Sequence, residues 1–264
     1  FLMKSPDYGI CRLSVVPIRA LGEDAAELIS QLLFGEHYRV LESSEDGKWI
    51  YIQNAFDDYE GWIDFKQHHS ISFEYFEQLD NTEYKICIDH TARILYNKNV
   101  VHVTIGAILP LLSNPLFVAE EKLAFTGEAK SLFQRWTIDQ LISIAKKYLN
   151  APYLWGGKTP FGIDCSGFTQ QVFRISGYHL KRDSSQQIRQ GKEVSYEERA
   201  PGDLAFFKND NGIMNHVGIV LPGDLIIHAS GCVRIDPFDA EGIFDEGLNK
   251  HSHKLFKINR IVNT

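Results

Sequence analysis

The chain has 264 residues, of which 44% are hydrophobic, enough for a sizeable core and for more than one domain. Its formal net charge is −7 and no dense Lys/Arg cluster occurs, which argues against a nucleic-acid partner; the acidity reads as solubility with a bias towards cationic ligands. No apolar run approaches the roughly 18 residues of a membrane span, and the start, "FLMKSPDYGICRLSVV", lacks the charged-then-apolar order of a signal peptide.

Residues 8–70 read as short strands separated by turn chemistry. "CRLSVVPIRA" alternates and is β-branched; "LLFGEHYRVLE", "KWIYIQ" and "YEGWIDF" follow, split by "SSEDG" and "FDD". Such spacing predicts a small barrel, with "GEDAAELISQ" as a helical turn near its start. Residues 82–127 repeat the style more loosely in "EYKICID", "ARILYN", "VVHVTIGAILPLL" and "KLAFTG", punctuated by "SNP" and "EEK". The halves are not close repeats, so two small β modules are predicted.

After "SLFQRW" the texture changes. "TIDQLISIAKKYLN" predicts a helix with Thr137 as N-cap and Ile138, Leu141, Ile142, Ala145 and Leu149 at helical spacing. "CSGFTQQVFRISG" predicts a helix from about Cys165 to Ser176, stopped by Gly177. "DSSQQIRQG" gives a short helix capped by Asp183 or Ser184. "APGDLAFF", "HVGIVLP", "LIIHASG" and "VRIDPF" then read as strands, and helices followed by antiparallel strands imply an α+β domain.

The four cysteines, Cys11, Cys87, Cys165 and Cys232, would permit two bridges in three pairings. They are widely spread in a chain that is not small, so free thiols are expected. The absence of C-x-x-C argues against a structural zinc site.

Cys165 stands at a predicted helix start, where the helix dipole lowers a thiol pKa and the Cys165 amide points to where an oxyanion would form. The bland reading is a buried small hydrophobe. In "NHVGIVLPGDLIIHAS" a turn centred on Gly223 puts Gly218 opposite His228, with His216 two residues further along the same face. His216 is then the candidate base and His228 the group that orients it; alone, each could equally be structural. A Cys-His-His zinc site with an open position is the competing use of the three.

The motifs "YLWGG", "GIDCSGF", "PGDLAFF", "NHVGIV" and "IIHASG" resemble, in order, those of the NlpC-type cell-wall cysteine peptidases, over about Trp136 to Ile261. The resemblance implies a papain-like α+β fold, no cofactor or metal, and hydrolysis within peptidoglycan stem peptides, commonly between γ-D-glutamate and a diamino acid. It implies Cys165 as nucleophile, His216 as base, His228 as third polar residue and Tyr153 as oxyanion donor. The upstream modules resemble bacterial SH3-like domains, giving expected domains at 1–72, 73–130 and 131–264. In the branch similar to YkfC, enzymes with two such domains act on freed stem peptides with a free N-terminal L-alanine, releasing L-Ala-γ-D-Glu.

The same likeness places Trp155, Asp164, Ser166, Asp183 and Ser184 at the substrate site. Glu27 and Tyr59 are candidates for an acidic residue and a tyrosine added by the first β module; the alternative is two ordinary surface residues. Asp164 could instead cap the helix of Cys165, and Trp155 could be core. An ammonium needs anionic or polar partners, and Asp183 can supply charge. The other readings are an endopeptidase on intact murein, a non-catalytic wall-binding protein, and an acyltransferase. The expected partners are peptidoglycan-derived peptides; the sequence does not give the oligomeric state, and a monomer is assumed. A start at Phe1 and a murein-derived substrate suggest the cell envelope, periplasmic or secreted, with cytoplasmic recycling as the alternative.

Overall fold

The computed structural model describes residues 7–109, 123–209 and 211–262. Two compact units, Phe1–Gln134 and Arg135–Thr264, follow one another in the chain.

The first unit carries a seven-stranded antiparallel sheet. Its strands, in spatial order, are Leu28–Leu33, Val15–Arg19, Glu60–Asp64, Trp49–Asn54, His37–Ser43, Asp7–Ile10 and Ser70–Ile71. Val16, Ile18, Leu32, Tyr38, Ile50, Ile52 and Ile63 form its core, and the alternation along these strands is what period-2 patterning predicts. "GEDAAELISQ" is not helical. Residues 28–33 pair with Val15–Arg19, matching Leu32 to Val16, and that burial outweighs the local helix preference of Ala-Glu-Leu. "LLFGEHYRVLE" and "VVHVTIGAILPLL" are each broken by a glycine at positive φ, Gly35 and Gly106.

A helix, Phe73–Asn81, stands where the sequence pattern suggested no element; Ser72 caps it and Tyr75, Phe76 and Leu79 are its buried face. Two three-stranded sheets follow, Asn99–Thr104/Thr91–Tyr96/Leu123–Thr126 and Ile108–Leu109/Lys85–Cys87/Ala129–Ser131. The expected "SNP" and "EEK" breaks lie outside the described residues.

In the second unit, helix Ile138–Lys147 starts at Thr137 with a capping box to Gln140. It ends earlier than expected, with Tyr148 as C-cap and Asn150 at φ 67, so Leu149 lies past the helix and is exposed. Helix Cys165–Ile175 is buried along its whole length, packed against Ile138–Lys147 and against the strands Met214–Leu221 and Leu225–Ser230. The short helix Ser184–Gln187 follows. The segment around "KTPFG" forms a two-stranded ribbon, Lys158–Thr159 against Gly162–Ile163.

The sheet of this unit runs Lys192–Val194, Lys250–Arg260, Leu204–Lys208, Met214–Leu221, Leu225–Ser230, Cys232–Pro237, with Gly242–Asp245 also paired to Lys250–Arg260. Leu204, Phe206, Ile219 and Ile227 are fully buried, each contributing roughly 1.5–3 kcal/mol of transfer free energy. All four cysteines are free thiols. Among the described residues no helix is long and apolar enough to cross a membrane.

Candidate active site

The site is organised by the residue before the nucleophile helix. Asp164 is extended at φ −93, ψ 174, and its Oδ1 accepts the Gly167 N–H at 2.6 Å, so Asp164 is the helix cap. Its Oδ2 accepts the Gly156 N–H at 2.8 Å. The buried Arg182 guanidinium grips both carboxylate oxygens, Nη1–Oδ1 at 3.0 Å and Nη2–Oδ2 at 2.6 Å, and donates to Ser166 Oγ at 2.9 Å. A bidentate pair with its remaining lone pairs satisfied is the form in which a buried ion pair is tolerated. It ties together the Gly156–Gly157 loop, the helix start and the "RDSS" segment.

Asp183 and Ser184 therefore begin the next short helix one peptide bond from the arginine that holds this cap. Both are partly buried, and Gln186 Oε1 accepts the Asp183 N–H at 3.2 Å. Close approach is what the glycines permit: a Cβ on Gly167 would lie 2.4 Å from the Gly157 carbonyl oxygen.

Cys165 is the first helical residue and is 6% exposed. The backbone N–H groups of Val217 and Ser166 hydrogen-bond its sulfur. The expected lowering of its pKa does not hold. Burial pushes the thiol up to about 12, the Asp164 charge adds to this, and the Val217 amide, Arg182 and the Ser166 amide pull only partly back. Desolvating a thiolate costs more than these amides return, and a neutral imidazole lends no charge.

The hairpin register is as the sequence implies, with Gly218 opposite His228. A Cβ at Gly218 would sit 3.0 Å from the His228 Cβ, so the glycine makes room for the imidazole. Both histidines are buried, and His216 Nε2 lies 2.8 Å from His228 Nδ1. His228 Nε2 in turn lies 2.8 Å from Asp236 Oδ2, while Asp236 Oδ1 accepts from Arg234 Nη2 at 2.7 Å. Burial pushes the Asp236 carboxyl up, but the hydrogen bonds from His228 and Arg234 outweigh it and hold the group below the usual carboxylate range.

His253 stacks on His216, with ring centroids 4.2 Å apart and planes at 29°. Burial, then His228 and His253, keep His216 well below the ordinary imidazole value. Burial first, then His228, lower His253 to about 4. The two histidine nitrogens that meet are spent on each other, so they do not converge on a shared ion; among the described residues no group of three or more His, Cys, Asp or Glu is placed to hold a metal.

Tyr153 is 37% exposed, and its N–H donates to the Gly231 carbonyl at 2.9 Å. Burial, then the charges of Cys165 and Asp164, push its phenol up to about 12, so it keeps its proton and stays a donor. Trp155 is 59% exposed and so is not core. Glu27, exposed, and Tyr59, partly buried and following Asp58 at φ 60, belong to the first unit.

The sequence reading missed Arg182, Asp236 and His253. Asp236 was within reach of it. His228 pairs with Arg234, and the residue two further along falls on the same face as the diagonal neighbour. His253 carried no local signal, because its strand returns from the end of the chain.

A buried thiol at the start of a helix that packs on the two strands carrying a hydrogen-bonded histidine pair, in an α+β unit, has the make-up of a cysteine peptidase. The NlpC/P60 family profile matches residues 150–250, and that of the bacterial dipeptidyl-peptidase Sh3 domain matches residues 18–67. The γ-D-glutamyl-L-lysine dipeptidyl-peptidase of Bacillus subtilis (strain 168) is 31% identical over 219 residues, spanning 76% of this chain and 71% of that protein. The protein of the same name from Bacillus cereus is 28% identical over 253 residues, 84% of this chain and 74% of that protein. A solved NlpC/P60 family structure from Bacillus cereus ATCC 10987 shares the fold, with a TM-score of 0.82 at 21% identity, covering 97% of this chain and all of the other. The chain belongs to the NlpC/P60 family. It is a hydrolase, a cysteine peptidase preceded by a bacterial SH3 domain.

Proposed function

We propose that the enzyme cleaves the bond between γ-D-glutamate and a diamino acid in peptidoglycan stem peptides that carry a free N-terminal L-alanine, releasing L-Ala-γ-D-Glu. The observation that carries this reading is the likeness, running through both the SH3 and the peptidase parts, to two proteins named for cutting at γ-D-glutamyl-L-lysine. The site is compatible with the chemistry. Cys165 attacks the γ-carbonyl as His216 takes the thiol proton. The Cys165 amide and the Tyr153 hydroxyl meet the oxyanion, and His216 returns its proton to the departing amine. Water, activated by the same imidazole, then hydrolyses the thioester.

His228 orients the base throughout. Asp183 is the charge available to an alanine ammonium, with Ser184 beside it, and the exposed Trp155 ring offers a wall for a short substrate. Asp164 and Ser166 act through the Arg182 network that fixes the helix start.

The test is mass spectrometry of L-Ala-γ-D-Glu-L-Lys digests. The wild-type enzyme is expected to release the L-Ala-γ-D-Glu dipeptide, Cys165→Ala to release none, and N-acetylation of the alanine to suppress cleavage at least about tenfold. Full activity of Cys165→Ala would sink the mechanism. Equal cleavage of the acetylated peptide and of intact murein would replace the dipeptidyl-peptidase reading with that of a wall endopeptidase.

A further inference from the structure

We propose that Asp236 is a positioning residue for the peptidase reaction: through His228 it dictates which nitrogen of His216 carries the ring proton, leaving the Nδ1 lone pair of His216 for the Cys165 thiol. The inference rests on the roles given above to Cys165 and His216.

The argument follows the chain of contacts outward from the carboxylate. An ionised carboxylate only accepts hydrogen bonds, so His228 must carry its hydrogen on Nε2, 2.8 Å from Asp236 Oδ2. In the proposed arrangement Nε2 holds the one ring hydrogen of His228, so its Nδ1 presents a lone pair. His216 Nε2 faces that atom at 2.8 Å and must donate to it. A neutral imidazole has one ring hydrogen, so His216 Nδ1 is left as a base. Arg234 completes the arrangement by occupying the other Asp236 oxygen, which stops the carboxylate from turning.

In the reaction the S–H bond of Cys165 breaks, its electron pair stays on sulfur, and the proton forms an N–H bond at His216 Nδ1. The imidazolium keeps donating from Nε2 to His228, whose own Nε2–H is held by the Asp236 charge. Among the described residues, the charged and titratable groups next to this chain include His253 stacked on His216, Arg234, Asp245, which lies 3.6 Å from Arg234, and Cys232, which also acts on Arg234.

Asp236→Asn is the decisive variant. Arg234 donates, so it keeps the amide oxygen, and the amide NH2 turns to His228 Nε2. Every bond in the chain then reverses and the His216 hydrogen moves to Nδ1, where it faces the thiol. We expect kcat on L-Ala-γ-D-Glu-L-Lys to fall by about 100-fold to 10,000-fold with KM little changed, as befits a wrong tautomer in intact geometry.

Adding Arg234→Gln removes the charged donor and lets the amide present its oxygen to His228, so the double variant is expected to regain at least about tenfold over Asp236→Asn. Nitrogen-15 NMR of the histidine rings reads the tautomer directly: Nε2–H for His216 in the wild-type protein and Nδ1–H in Asp236→Asn. A wild-type His216 protonated on Nδ1, an unchanged tautomer in the variant, or a folded Asp236→Asn with kcat within about threefold of wild type would each overturn the proposal. If Asp236→Asn does not fold, the wild-type ring spectrum decides by itself. A tautomer that switches as expected in a protein inactive on the tripeptide would leave this inference standing and sink the substrate reading instead.

Discussion

Cys165 starts from the protonated state. The thiol is buried and pushed up to about 12, while burial and two neighbouring imidazoles hold His216 neutral, so thiol and imidazole are both uncharged at rest. The nucleophile is therefore made when the proton moves to His216, rather than stored as a thiolate–imidazolium pair. The measurement is the rate of Cys165 alkylation by iodoacetamide against pH, with Cys165→Ala correcting for the other three thiols. It is expected to climb without a plateau from about pH 6 to about pH 9, since only the thiolate reacts. A plateau near neutral pH would show a preformed ion pair. The helix-start signal is local and visible in "GIDCSGF", but the desolvation that overrides it comes from strands some fifty residues further along the chain.

At the scale of elements, what matters is how tightly the Gly156–Gly157 loop lies on the start of helix Cys165–Ile175. A Cβ on Gly167 would meet the Gly157 carbonyl oxygen at 2.4 Å and Asp164 Oδ1 at 2.9 Å, with backbone rather than a flexible side chain on one side. Gly167→Ala is expected to destabilise the protein by about 1–3 kcal/mol, through overpacking, and to lower kcat by moving the loop that carries Tyr153. Denaturant unfolding and peptide assays check the two effects, and unchanged stability would mean that the loop relaxes freely. The hairpin was legible because side chains alternate with period 2, so one turn residue, Gly223, fixed which residues faced which. The end of helix Ile138–Lys147 was less so: Leu149 keeps the apolar spacing, yet the chain leaves the helix at Tyr148.

At the scale of the molecule, each unit has its own buried core, so heating is expected to give calorimetric unfolding that departs from a single two-state transition. Acid should act on both units. A histidine whose folded value lies below its unfolded value, about 6.5, stabilises the fold above that pH and loses this as pH falls towards the folded value. In the second unit His216 and His253 both behave this way, His253 over the window down to about 4; in the first unit His68 does, through burial. Between about pH 7 and about pH 5, above the range where carboxylates titrate, the second unit's transition is expected to fall further. His253→Phe keeps a ring against His216 and should lessen that fall. An acid response identical to wild type would exclude His253 as a contributor.

The sequence by itself determined the α+β character of the peptidase part, the helix start at Cys165 and the pairing of His216 with His228. Each is set by short-range periodicity or by capping chemistry, which a few adjacent residues carry in full. Only the tertiary structure decided that Asp164 is gripped by Arg182, that Asp236 and His253 complete the histidine cluster, and that the thiol rests protonated. Those features depend on burial and on contacts between segments far apart in the chain, and no local pattern encodes how much water a group loses on folding.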